Sequence, residues 1–180
     1  PIRKYVTYRL ESSGNQVSAS DYIVNQNTQD WIIYRLADVY LMEAEALVER
    51  NAGGDLEKAI QLVSNTYDRA NPSRGTGSLQ NYNTQELMRN LVFDERQREF
   101  LFEGKRYFDI LRRVRRHGDL NNIVSTYLLR KYESQDQATV MTRLNTLNAL
   151  HLPVNRDELK VNKLLKQNPF YATTGDIDRN

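Results

Sequence analysis

The chain has 180 residues, of which 39% are hydrophobic and 27% charged, with a formal net charge of +2 and no cysteine. That length makes one domain or a large piece of one. Disulfides, thiolate metal sites and a cysteine nucleophile are excluded, no run approaches the roughly 18–20 apolar residues that span a bilayer, and so small a net charge gives no argument for nucleic acid. The chain begins at Pro1 without a charged-then-apolar leader and reads as a mature fragment. Its 11 tyrosines outnumber Trp and Phe together, which fits a stacking surface for a ligand or, the favoured reading, ordinary half-buried tyrosine.

Residues 1–29 are polar and irregular, with β-like fragments at 4–10 and a Ser/Gly/Asn break at 12–15, and form a leading segment. A first helix is expected over 30–50, N-capped by Asp30, with Ile33, Leu36, Ala37, Tyr40, Ala44, Leu47 and Val48 as its apolar stripe. Trp31 then reads as a packed anchor, and Ala37, Ala44 and Ala46 would let a partner helix approach. Gly53-Gly54-Asp55 ends this helix and caps a second over 55–70, carrying Leu56, Ala59, Ile60, Val63 and Tyr67, which Asn71-Pro72 closes. The pair makes an antiparallel hairpin close to one tetratricopeptide unit. A stacked-repeat core needs about three such units, which places partner helices in a missing N-terminal part.

After a Gly/Ser/Asn-rich loop over 73–82, one long helix is expected across 83–116, capped by Asn83 with Glu86 or by Thr84. Phe93, Phe100, Leu101, Gly104, Tyr107, Phe108 and Leu111 follow helical spacing, with Leu87, Leu91, Val92 and Phe102 on a neighbouring face. Glu95, Arg98, Glu99, Glu103, Arg106 and Asp109 fall among these apolar positions, so their charges must be paired. Beyond His117-Gly118 periodicity weakens, with a short helix near 138–147, a capped helix or turn series over 155–167, and a frayed tail over 172–180. Residues 30–171 are thereby expected to form one helical domain.

Glu95, Glu99 and Glu103 recur about one turn apart, a spacing open to carboxylate chemistry on a glycosidic bond. Such a pair needs an open cleft, whereas these positions are flanked by Phe and Leu. Arg98 stands at i+3 from Glu95, Arg106 at i+3 from Glu103, and Arg112 and Arg113 at i+3 and i+4 from Asp109, so a structural ion network is favoured. No metal is expected: the helical di-metal pattern needs Glu-x-x-His where this chain has Glu95-x-x-Arg98, and His117 and His151 are isolated. Gly75-Thr76-Gly77 lacks the pattern of a phosphate loop. The arginines at 112–116 suit a helix C-terminus, with nucleic acid or an anionic surface as the less favoured partner. Arg74, Asn81 and Tyr82 on the loop are candidates for contact with a sugar or peptide.

Three blocks of sequence bear a family likeness. Arg35-Leu-Ala-Asp-Val-Tyr-Leu-Met-Glu-Ala-Glu-Ala-Leu47, then Glu95-Arg-Gln-Arg-Glu-Phe-Leu-Phe-Glu-Gly-Lys-Arg-Tyr-Phe-Asp109, then Leu152-Pro-Val with Glu158-Leu and Gln167-Asn-Pro169, resemble the C-terminal half of the SusD/RagB family. The chain departs from that pattern at Phe170, where Gly is frequent, and at Tyr107-Phe108, where Trp is common. The resemblance implies an all-α fold of tetratricopeptide-like hairpins in a SusD-like α/α superhelix. It also implies a non-enzymatic nutrient-binding lipoprotein of Bacteroidetes, without cofactor, held outside the outer membrane by an N-terminal lipid. The partners so implied are an oligosaccharide, or a peptide, and a SusC-like TonB-dependent transporter. The residues matching Glu95 to Asp109 are structural in the family, so no binding residue is carried over. A protein-binding repeat scaffold and a glycosidase using Glu95 and Glu99 are the rival readings.

Overall fold

A computed structural model of the chain describes residues 8–10, 22–24, 30–74 and 79–172. Among the described residues the fold is all-α, with one short antiparallel ribbon in which β1 (Tyr8–Leu10) pairs with β2 (Tyr22–Val24), Tyr8 opposite Val24. The chain divides into two compact units, Pro1–Arg106 and Tyr107–Asn180.

The first unit is built on α1 (Leu36–Arg50), α2 (Asp55–Ala70) and α3 (Gln85–Glu99). Leu41, Ala44, Leu47 and Val48 of α1 meet Ala59 and Val63 of α2 and Met88, Leu91 and Val92 of α3, with Leu79 and Phe100 completing the core. α1 begins six residues later than its apolar pattern suggests. Asp30 caps nothing in the helix, since the extended Arg35 occupies the N-cap position. The run Trp31-Ile32-Ile33-Tyr34 precedes the helix, is not helical and is exposed. Trp31 is 58% exposed, with one ring edge over Gly104, so it is not the packed anchor expected of it. Ile33 and Leu36 are likewise outside the core, and Leu41, absent from the expected stripe, lies at its centre.

The turn between α1 and α2 takes two left-handed residues, Asn51 (φ 49°) and Gly54 (φ 82°), the second at a conformation that side chains disfavour. Asp55 fixes the turn by accepting from Arg50 Nε at 2.8 Å, Arg50 Nη2 at 2.5 Å and the Ala52 N–H at 2.8 Å. The Arg50 guanidinium holds its carboxyl down to about 2, from an ordinary 3.8. A carboxyl with a depressed folded pKa stabilises the fold above its unfolded pKa and loses that contribution as the folded value is approached. The stability gap between the parent and Asp55→Asn should therefore be constant near neutrality and close as pH falls from 3.8 to about 2, read by urea unfolding at each pH. A gap that ignores pH would contradict this role.

The expected single helix over 83–116 is two helices. α3 ends at Glu99, and α4 (Arg106–His117) starts only after a turn in which Phe102 (φ 64°) and Gly104 (φ 72°) are left-handed. Gly104 permits that backbone, and Arg35 satisfies the last α3 carbonyl from outside the helix, its Nη2 donating to Glu99 O at 2.7 Å. Thr84 caps the start of α3, accepting from the Leu87 N–H at 3.3 Å.

In the second unit α4 buries Asp109, Ile110, Arg113 and Val114 on one side. α5 (Leu120–Ile123) runs into a π-helical turn, Val124–Leu128, whose extra residue per turn spoils the 3.6-residue period. α6 (Ser134–Arg143) precedes a 3₁₀ turn, Leu147–Leu150, and α7 (Arg156–Val161), which Asn155 caps. The third block of the sequence ties this end together. Gln167 exchanges hydrogen bonds with the backbone of Val154 at 2.9 and 3.0 Å, and Asn168 Nδ2 donates to the carbonyls of Asn148 and His151. The expected tail over 172–180 lies outside the described residues beyond Ala172.

Candidate functional site

The sequence marks six charged residues as a buried constellation, and the structure gives each a definite neighbour. Glu95 is buried, accepting from Thr66 Oγ1 at 2.8 Å and pairing with Arg98 at 3.0 Å. Glu99 pairs with Arg35 at 2.5 Å and with Arg69 at 2.6 Å. Glu103 takes both Arg35 Nε and Nη2 at 3.0 Å. Arg106 donates to Phe93 O at 3.0 Å and lies over the Phe93 ring. In the second unit Asp109 pairs with Arg112 at 2.9 Å, and Arg113 with Asp119 at the same distance.

Most of these partners come from elsewhere in the chain rather than from the next turn. Arg35 is the hub: two carboxylates and one helix-terminal carbonyl converge on its guanidinium. Only the planar five-donor fork of arginine can serve such a set. A second clasp lies beside it. Asp38, 1% exposed, pairs with Arg96 at 3.0 Å and with Lys105 at 2.8 Å, and Lys105 also donates to Ile33 O. Phe100 fills the space between the clasps, its ring 4.8 Å from the Arg35 guanidinium carbon and 5.0 Å from that of Arg96.

Arg35, Asp38, Thr66, Arg69 and Arg96 were not singled out from the sequence as members of this constellation. Their signal was weak but present: Asp38 stands at a position that helical periodicity turns inward, where a carboxylate demands a cation.

Chemically, the arrangement holds backbone in place. Each of Glu95, Glu99 and Glu103 is nearly enclosed and engaged by cations or a hydroxyl, whereas a carboxylate pair for glycoside hydrolysis must face substrate and water. Among the described residues there is no group of three or more His, Cys, Asp and Glu side chains placed to hold a metal ion, and no helix long and apolar enough to cross a membrane. Arg74 is exposed and donates to the Tyr67 hydroxyl at 3.3 Å, Asn81 is exposed, and Tyr82 is half-buried against the core.

The profile of the SusD family matches residues 1–171. The chain is 36% identical over 117 residues to SusD-like protein P2 of Formosa agariphila (strain DSM 15362 / KCTC 12365 / LMG 23005 / KMM 3901 / M-2Alg 35-1), covering 62% of this chain and 21% of that protein. It is 31% identical over 134 residues to SusD-like protein P25 of the same organism, covering 74% of this chain and 23% of that protein. The chain thus spans about a fifth to a quarter of the length of the curated relatives it matches. No solved structure matches it.

Proposed function

Because this chain belongs to the SusD family, whose members are nutrient-binding proteins rather than enzymes, we propose that it is part of a cell-surface protein that captures oligosaccharides and passes them to a SusC-like TonB-dependent transporter. The observation that carries the reading is the match of the family over nearly the whole chain, residues 1–171. The engaged state of Glu95, Glu99 and Glu103 supports binding without catalysis, since no carboxylate there is held ready for a substrate. In this reading the longer protein sits on the extracellular face of the outer membrane by an N-terminal lipid, and Arg74, Asn81 and Tyr82 contribute to ligand contact.

The apolar side chains left exposed on the first unit fit the same picture. Leu36, Val39 and Met42 of α1 are between 42% and 62% exposed and recur every third residue along the helix. Such a stripe, on a helix whose other side already packs on α2 and α3, is the packing surface of a stacked repeat, to be covered by further helices of the longer protein. The same stripe motivates the alternative, a repeat scaffold that binds only protein, or a peptide-binding member of the same family.

Calorimetry and a glycan array on the full-length protein separate these readings. Capture of an oligosaccharide, with a TonB-dependent transporter co-purifying from membranes, is the expected result. Peptide binding with no response to any glycan would transfer the assignment to the alternative, and hydrolysis of a bound sugar would overturn the non-catalytic reading.

A further inference from the structure

The outward face of α4 holds a feature that a solvated helix end does not require. Its inner side is accounted for by Asp109, Ile110, Arg113 and Val114, all buried. Its outer side places Phe108, Leu111, Arg112, Arg115 and Arg116 around a shallow depression of about 510 Å³. Arginines near a helix C-terminus are ordinary, because they complement the dipole. An outward phenyl ring among them is not explained that way, and Phe108 is 61% exposed.

That ring has an aromatic neighbour. It packs edge-on against Tyr107, with centroids 5.2 Å apart, and Tyr107 is itself anchored through its hydroxyl, which donates to Leu150 O at 2.7 Å. Phe108, Arg112 and Arg115 follow one another at i, i+4 and i+7, so the ring and the two guanidiniums occupy successive turns about 5.4 Å apart along the helix. Leu111 lies half-buried between them. Arg112 is steadied by its ion pair with Asp109 at 2.9 Å.

An apolar floor with an exposed aromatic ring and a rim of guanidiniums matches a particular ligand chemistry. A sugar ring presents C–H groups that pack on an aromatic face, and a uronic acid adds a planar carboxylate that an arginine fork can grip through two N–H donors. We propose that the outer face of α4 is a subsite for an oligosaccharide containing uronic acids, with a pyranose ring on Phe108 and carboxylates on Arg112 and Arg115. This rests on the oligosaccharide-binding reading above and narrows it to acidic substrates. Nucleic acid is disfavoured because the whole chain carries a net charge of only +2, far from the broad basic surface a polyphosphate needs.

The experiment is calorimetric titration of the protein with tetragalacturonate and tetraguluronate, each beside its fully methyl-esterified form, in which the charge is removed and the ring kept. At least one acid form should bind tenfold or more tightly than its ester, with the preference shrinking as salt is raised. Arg115→Gln should abolish that preference, and Phe108→Ala should weaken acid and ester together. Both side chains are exposed, so the variants should retain the parent's far-UV circular dichroism, and their affinity for a neutral glycan that binds elsewhere should not change. Equal binding of acid and ester, or full affinity in Arg115→Gln, overturns the proposal. So does equal binding of single-stranded DNA or an oligoglutamate peptide, which would reduce the face to unspecific charge. If neutral glycans bind and neither uronate does, this subsite falls while the oligosaccharide reading stands; if no glycan binds at all, both fall.

Discussion

Arg35→Met is expected to destabilise the first unit by about 3 kcal/mol, close to the loss measured when one partner of a buried ion pair is removed. The reasoning follows from what the substitution leaves behind. Methionine keeps much of the side-chain volume, so the packing against Phe100 survives. What is lost is the cation between two carboxylates that are both over nine-tenths buried, Glu99 at 8% exposed and Glu103 at 3%. Arg69 still reaches Glu99, but Glu103 loses the grip of Arg35 on both its oxygens. The last carbonyl of α3 loses its donor at the same time. Arg35 is a quarter exposed, which keeps the figure at the lower end for a buried pair. With a urea slope of about 2 kcal/mol/M, the unfolding midpoint should fall by about 1.5 M.

Arg35→Lys sharpens that result. An ammonium keeps the charge but cannot span two carboxylates and a carbonyl in one plane, so it should recover less than half of the loss. Full recovery by lysine would mean that charge alone matters here and that the fork geometry is incidental. A loss below about 1 kcal/mol in Arg35→Met would place the contact with ordinary surface ion pairs.

The parts of the fold that were legible in the sequence are those governed by local rules. α2 runs over Asp55–Ala70 as its periodicity and the flanking Gly54 and Asn71-Pro72 indicate, and Thr84 and Asn155 cap the helices that follow them. The parts that were not legible are those where a distant residue overrides a local pattern. Apolar spacing runs without a gap through residues 83–116, and nothing near Glu99 in sequence announces that Arg35, 64 positions away, will end the helix there. Gly104 was the one local sign, and a glycine inside an apolar helical pattern can equally be a packing position. The same holds for the start of α1, where Ile33 continues the helical stripe in sequence but stands outside the helix in the fold. For the candidate site, residue types were legible and partners were not. The carboxylates demanded cations, but half of those cations stand on other elements, and i+3 and i+4 arithmetic cannot reach them.

The Asp38 clasp allows a stricter test, because its central pair is enclosed on both sides. Asp38 and Arg96 are 1% and 4% exposed, and Lys105 approaches the same carboxylate from the turn before α4. Asp38→Leu leaves two cations facing an apolar side chain and should cost about 3–5 kcal/mol. Adding Arg96→Met removes one of those stranded charges and should return a large share of the loss, because a well-packed apolar pair can match a buried ion pair of similar volume. Double-mutant coupling of at least 1 kcal/mol is the expected outcome, whereas additive losses would show that the two side chains act independently. Acid provides a second readout. Burial alone would raise the Asp38 carboxyl, but Lys105 and Arg96 outweigh it and hold the group below its ordinary 3.8. Its stabilising contribution is therefore complete above 3.8 and disappears as pH falls through the lowered folded value. The penalty of Asp38→Leu should accordingly be full at neutral pH and shrink only in that acid range. A penalty that persists unchanged into strong acid would mean that shape, and not the ion pair, decides the stability of this corner.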